Sequence, residues 1–127
     1  MPQPYRNGEL VIVIDCADLD RSAQFWASVL GYAAGGQASG TYRSLWPASG
    51  AGIEVLLQQV DDEKQGKNRL HLDLRTADLG TEVSRILDLG GSLLTGEPVA
   101  EEGWRWHVLA DPDGNEFCVL QPPPGGR

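Results

Sequence analysis

The chain has 127 residues, 41% hydrophobic and 22% charged, which suits one ordinary globular domain with a real core. Its net charge of −8 at pH 7 repels phosphate backbones and excludes nucleic acid as the expected partner. No apolar run reaches the roughly 18 residues of a membrane span, the opening MPQPYRNGEL lacks the apolar core of a secretory signal, and Cys16 and Cys118 are too few for a disulfide scaffold. The expected location is therefore the cytoplasm, with no membrane contact.

Residues 10–14 (LVIVI) are a β-branched run that predicts a strand ending at Asp15. A helix is expected next, capped by Asp18 or Asp20, whose carboxylates can accept the free N–H groups of the first turn. Leu19, Ala23, Trp26 and Leu30 form its apolar stripe, and Gly31 stops it. Strands are predicted at roughly 33–38, 41–46 and 52–60, separated by Gly40 and by Pro47 to Gly52. The polar segment DDEKQGKN (61–68) has no periodicity and reads as a linker.

The same order then returns. RLHLDL (69–74) alternates as a strand; Asp78 caps a helix with Leu79, Val83, Ile86 and Leu87 as its stripe; Gly90 and Gly91 end it. Three more strands are predicted at roughly 92–95, 104–110 and 115–121. Ala17-Asp18-Leu19 matches Ala77-Asp78-Leu79, and Leu30-Gly31 matches Leu89-Gly90. The expectation is an α+β fold: βαβββ twice, module one at about 8–60 and module two at about 69–121, in a single domain. The curved mixed sheet would form a half-barrel cleft, with the helices on the outer face.

The segments ADLDRSAQFWASVLGY, NRLHLDLRTADL and LADPDGNEFCVL carry a resemblance to the vicinal oxygen chelate superfamily, over about Leu10 to Gln121. That superfamily includes glyoxalase I, extradiol dioxygenases and the fosfomycin- and bleomycin-resistance proteins, and the closest likeness is to small bacterial glyoxalase-like domains. The resemblance implies a cleft with a divalent ion held by the first strand of each half and by the last strands. Aligned this way, the ligand positions fall at Val11, Glu54, His71 and Cys118. Valine binds no metal, and sulfur replaces a hard carboxylate, which disfavours magnesium, manganese, nickel or iron. The expectation is accordingly no cofactor and no intact metal site, with a divalent ion at Glu54, His71 and Cys118 as the alternative.

The position of Cys118 rests on strand parity. Phe117 and Val119 should pack toward the helix, placing Glu116, Cys118 and Leu120 on the other face; a bulge after the Asp113-Gly114 turn would reverse this. His71 and Asp73 read either as a polar wall, with His71 as general base, or as structural groups. Direct contact between them is not expected, since alternate side chains on a strand lie about 6–7 Å apart. Trp104 and Trp106 share a face, Trp46 and Tyr42 occupy a wall position, and any of the tryptophans could stack on a ligand or simply pack. His107 is expected to be structural or exposed. Cys118 reads as a buried thiol rather than a nucleophile, and Asp111 to Asn115 as a structural turn.

The leading expectation is a binding protein for a small organic molecule, of the bleomycin-resistance type and, by that resemblance, a homodimer. Its ligand-binding candidates are Trp46, Glu54, His71, Asp73, Trp104, Trp106 and Cys118. The alternatives are a metal-dependent lyase, isomerase or dioxygenase, and a metal-free acid–base enzyme using His71 with Glu54 or Glu116.

Overall fold

The computed structural model describes residues 5–34 and 40–125. The chain divides after Glu63 into two compact units.

In the first unit, β1 (Val11–Cys16) leads into α1 (Leu19–Leu30), followed by β2 (Tyr32–Ala34), β3 (Tyr42–Pro47) and β4 (Glu54–Gln59). The strand order is β1-β4-β3-β2, with β1 parallel to β4 and the other pairs antiparallel. Asp18 is the helix cap: its side chain accepts from the backbone N of Arg21 at 3.1 Å. Gly31 closes the helix in the left-handed region, at φ 72. The buried stripe is broader than predicted, because Ser22, Phe25 and Val29 join Leu19, Ala23 and Trp26. Phe25 and Trp26 meet edge to face, with centroids 5.1 Å apart. The helix packs on β2, β3 and β4, and Ile14, Cys16, Leu45, Val55 and Leu57 are the buried strand residues of this unit. Part of the strand expected at 33–38 lies outside the described residues.

The second unit repeats the plan with one addition. β5 (Leu72–Arg75) precedes α2 (Leu79–Asp88), followed by β6 (Ser92–Leu93), β7 (Val99–Glu101), β8 (Trp104–Ala110) and β9 (Glu116–Gln121). The order is β5-β9-β8-β6, and β7 also pairs with β8. β6 and β7 share one edge of β8 because Thr95 interrupts that edge, its hydroxyl meeting His107 Nδ1 at 2.7 Å and accepting from the backbone N of Val108 at 3.2 Å. Asp78 caps α2 by accepting from the backbone N of Thr81 at 3.1 Å. Leu79, Val83 and Ile86 are buried against β8 and β9.

Three expectations are corrected here. Leu87 is 37% exposed and is not part of the stripe. The strand expected at 69–74 starts only at Leu72, and Leu70 is 90% exposed. β7 is a fourth strand after α2 that the sequence reading omits.

Curved, open sheets each backed by one helix give the α+β fold that the repeat predicts. No helix among the described residues is long and apolar enough to cross a membrane.

Candidate ligand-binding site

The register of β9 settles its parity. Phe117 and Val119 pair with Leu72 and Leu74 on one side and with Leu109 and His107 on the other. Ladder partners share a face, so these residues face α2. Cys118 pairs with Asp73 and Val108, and Leu120 with Arg75 and Trp106, so these residues form the face away from the helix. The ladder runs unbroken from the Ala110–Glu116 pair, so no bulge reverses the assignment. The preceding turn is held by Asp111, which is 2% exposed; its Oδ1 accepts from the backbone N of Asp113 and of Asn115, and its Oδ2 from Asn115 Nδ2 at 3.0 Å. Gly114 takes φ 87 there. The acidic residues of this turn are structural.

On this face lies a hollow of about 330 Å³. Trp106, Val108, Cys118 and Leu120 form its apolar part, while His71, Asp73, Lys67 and Glu116 form its polar wall. The His71–Asp73 contact is closer than strand spacing allows: Nδ1 lies 2.9 Å from Asp73 Oδ1. His71 stands just before β5, where the backbone is irregular, so its ring can fold back onto Asp73. With the carboxylate as acceptor, Nδ1 carries the proton and Nε2 is left as a base. The donor atoms of His71, Asp73 and Cys118 all lie within 4.8 Å of one another.

Burial pushes the Cys118 thiol above its usual pKa, the Asp73 carboxylate adds to this, and Lys67 acts in the opposite sense. A thiol held in its neutral form is a poor nucleophile. Glu116 is committed elsewhere: Oε1 accepts from the backbone N of Asn68 at 2.8 Å, and Asn68 Nδ2 donates to the Glu116 carbonyl at 3.0 Å. It anchors the segment that enters β5.

The remaining sequence candidates fall elsewhere. Trp104 lies under the Arg75 guanidinium, 5.1 Å from ring centroid to Cζ. Glu54 and Trp46 belong to the first unit. Glu54 pairs with Val11 in the ladder and accepts from the Ser44 hydroxyl at 2.5 Å. Trp46 is on the opposite side of β3 from buried Leu45. His107 is structural through Thr95. Lys67 was not anticipated, because it sits in an irregular segment with no period to place it.

The two helix-backed sheets have the fold of the vicinal oxygen chelate superfamily. Within that class, the chain belongs to the glyoxalase-like domain family, which it matches over residues 11–120. Among solved structures, a glyoxalase/bleomycin resistance protein/dioxygenase family enzyme from Burkholderia phytofirmans PsJN is 17% identical, with a TM-score of 0.72 over 87% of this chain and 95% of that one. The fosfomycin resistance protein FosX from Listeria monocytogenes, complexed with Mn(II) and sulfate ion, is 17% identical with a TM-score of 0.72, over 91% of this chain and 90% of that one. A hypothetical protein of S. aureus is 20% identical with a TM-score of 0.67, over 90% and 96%. At these identities the likeness concerns the fold. Among curated proteins no match is found.

Proposed function

We propose that this protein binds a small organic molecule in the hollow on the face of the second unit's sheet away from its helix, and does so as a bleomycin-resistance-type sequestering protein without the hard divalent ion of the superfamily's metal-using members. The observation that carries this reading is the lining itself: Trp106, Val108, Cys118 and Leu120 form an apolar surface closed on one side by polar groups, the usual composition of a small-molecule site. A homodimer is part of the same reading and comes from the family. A cytoplasmic location is supported by two cysteines that are not joined in a disulfide.

The donor set does not fit a manganese- or magnesium-type ion. By the resemblance, the first-strand position is Val11, which has no donor atom, and the last-strand position is Cys118, whose sulfur is a soft donor in place of a hard carboxylate. The test is tryptophan fluorescence of dialysed protein against a panel of planar and amphipathic compounds. The reading expects quenching that survives His71→Ala and is lost in Trp106→Ala; quenching unchanged in Trp106→Ala contradicts it.

A second reading is enzymatic, and two observations favour it. Asp73 orients His71 as a base, and His71, Asp73 and Cys118 bring nitrogen, oxygen and sulfur donors together, a set suited to zinc. Elemental analysis after dialysis separates the two readings. About one equivalent of tightly held metal, lost in His71→Ala, would replace the sequestering reading with the enzymatic one. Turnover of a panel compound by metal-free protein, abolished in His71→Ala, would instead support acid–base chemistry.

A further inference from the structure

A second depression, of about 410 Å³, adjoins the first and shares Lys67 and His71 with it; Asn68 and Arg69 complete its lining. The two differ in character. The first is mostly apolar, and the second is walled by two cations, an amide and an imidazole. The carboxylates near both already have partners: Asp73 is held by His71, and Glu116 by Asn68, with Lys64 4.0 Å away. Lys67 and Arg69, by contrast, form no ion pair with any described residue. Their segment is nonetheless fixed in place, because the Asn68 backbone and side chain are both bonded to Glu116. Lys67 is also close enough to Cys118 to act on its thiol. In a chain of net charge −8, two unpaired cations beside an apolar hollow are a local reversal of sign.

We propose that this double site takes an amphipathic anion, with its flat apolar body on Trp106, Val108 and Leu120 and a carboxylate or phosphate head held by Lys67 and Arg69. The proposal rests on the reading of the hollow as a ligand site and names the class of ligand. A cationic ligand is disfavoured because it would meet Lys67 and Arg69, while Asp73 and Glu116, the carboxylates of the hollow, are already engaged by His71 and by the backbone of Asn68. Charge-assisted contacts to an oxyanion are the strong kind of hydrogen bond. They weaken with salt where, as here, the cations are exposed.

Calorimetric titration of the whole protein with naphthoate, naphthyl phosphate, naphthylmethanol and naphthylmethylamine tests this. The expected result is that at least one anion binds about tenfold tighter than the alcohol, the amine binds weakest, and the preference shrinks as salt is raised. Which anion is preferred identifies the head group. The double variant Lys67→Gln, Arg69→Gln, exposed at both positions, should bring the anions down to the affinity of the alcohol. If the alcohol or amine binds as tightly as the anions, while Trp106→Ala still weakens binding, the anion proposal is overturned and the ligand site stands. A preference for anions that persists in the double variant also overturns it. If none of the four binds, both the proposal and the site it rests on fail.

Discussion

A thiol on the floor of an apolar hollow, beside a carboxylate, keeps its proton. Cys118 is in that position, with its pKa raised first by burial and then by Asp73. Iodoacetamide should therefore modify Cys118 more slowly at neutral pH than it modifies a free cysteine, as followed by mass spectrometry of the peptide that contains it. Reaction as fast as the free amino acid would mean an activated thiolate and would make Cys118 a candidate nucleophile. A different constraint acts at Gly91. A Cβ there would lie 2.9 Å from Ile86 Cγ2 and 3.2 Å from the Ile86 carbonyl oxygen. The carbonyl belongs to the end of α2 and cannot swing aside, so Gly91→Ala should cost roughly 1–3 kcal/mol, measured by chemical denaturation; an unchanged midpoint would show that the turn can relax. The sequence indicated a terminating glycine here, but not that the requirement is space. His71 and Asp73 make a similar case: both were legible as polar residues of one face, yet their 2.9 Å contact was not. Strand spacing forbids it, and only the break before Leu72 permits it.

The helices show how local electrostatics can be read from sequence and tested. Asp78 caps α2, and its pKa is lowered first by the backbone hydrogen bond from Thr81 and then by the Thr81 side chain. A carboxyl whose folded-state pKa is depressed adds stability that is present above its unfolded value of about 3.9 and is lost as pH falls through the folded value. Asp78→Ala should therefore lower the melting temperature at neutral pH, and the gap to the unmodified chain should narrow once pH drops below the ordinary carboxylate range. A gap of constant size down to the most acid pH would show that the cap acts through something other than its charge. The Asp78 cap was legible, and Asp18 was one of two candidates with Asp20, because an aspartate precedes each of the matching apolar stripes. The parity of β9 was legible for a related reason, since Phe117 and Val119 alternate with Glu116 and Cys118 and the ladder carries that alternation through without a bulge. β5 was overextended because Leu70 continues an alternation of leucines beyond the point where β9 offers a partner. β7 was missed because Val99–Glu101 is too short to show a period. Its turn places Glu102 at φ 52 and Gly103 at φ 87, and the glycine alone, with no period before it, did not mark a hairpin.

At the scale of the molecule, a net charge of −8 makes the placement of the few positive groups informative. The repeat announced two units of one plan, and the structure forms both, yet the units differ chemically: the first presents Glu54 bonded to Ser44, and the second a hollow with a histidine–aspartate pair and two cations that form no ion pair with any described residue. Nothing in the repeat distinguished them, because Lys67 lies in the aperiodic linker and Arg69 was read as the first residue of a strand that begins only at Leu72. Sedimentation equilibrium at micromolar concentration should give the mass of two chains if the proposed homodimer forms; a single-chain mass would contradict it. The central claim is that the open face of β5, β8 and β9 holds the ligand. Titration of isotopically labelled protein with naphthoate, followed by backbone and indole amide resonances, tests it most directly. The predicted result is a saturable set of shifts centred on His71, Asp73, Cys118 and the Trp106 indole. Binding that leaves these resonances in place and moves others instead would contradict it.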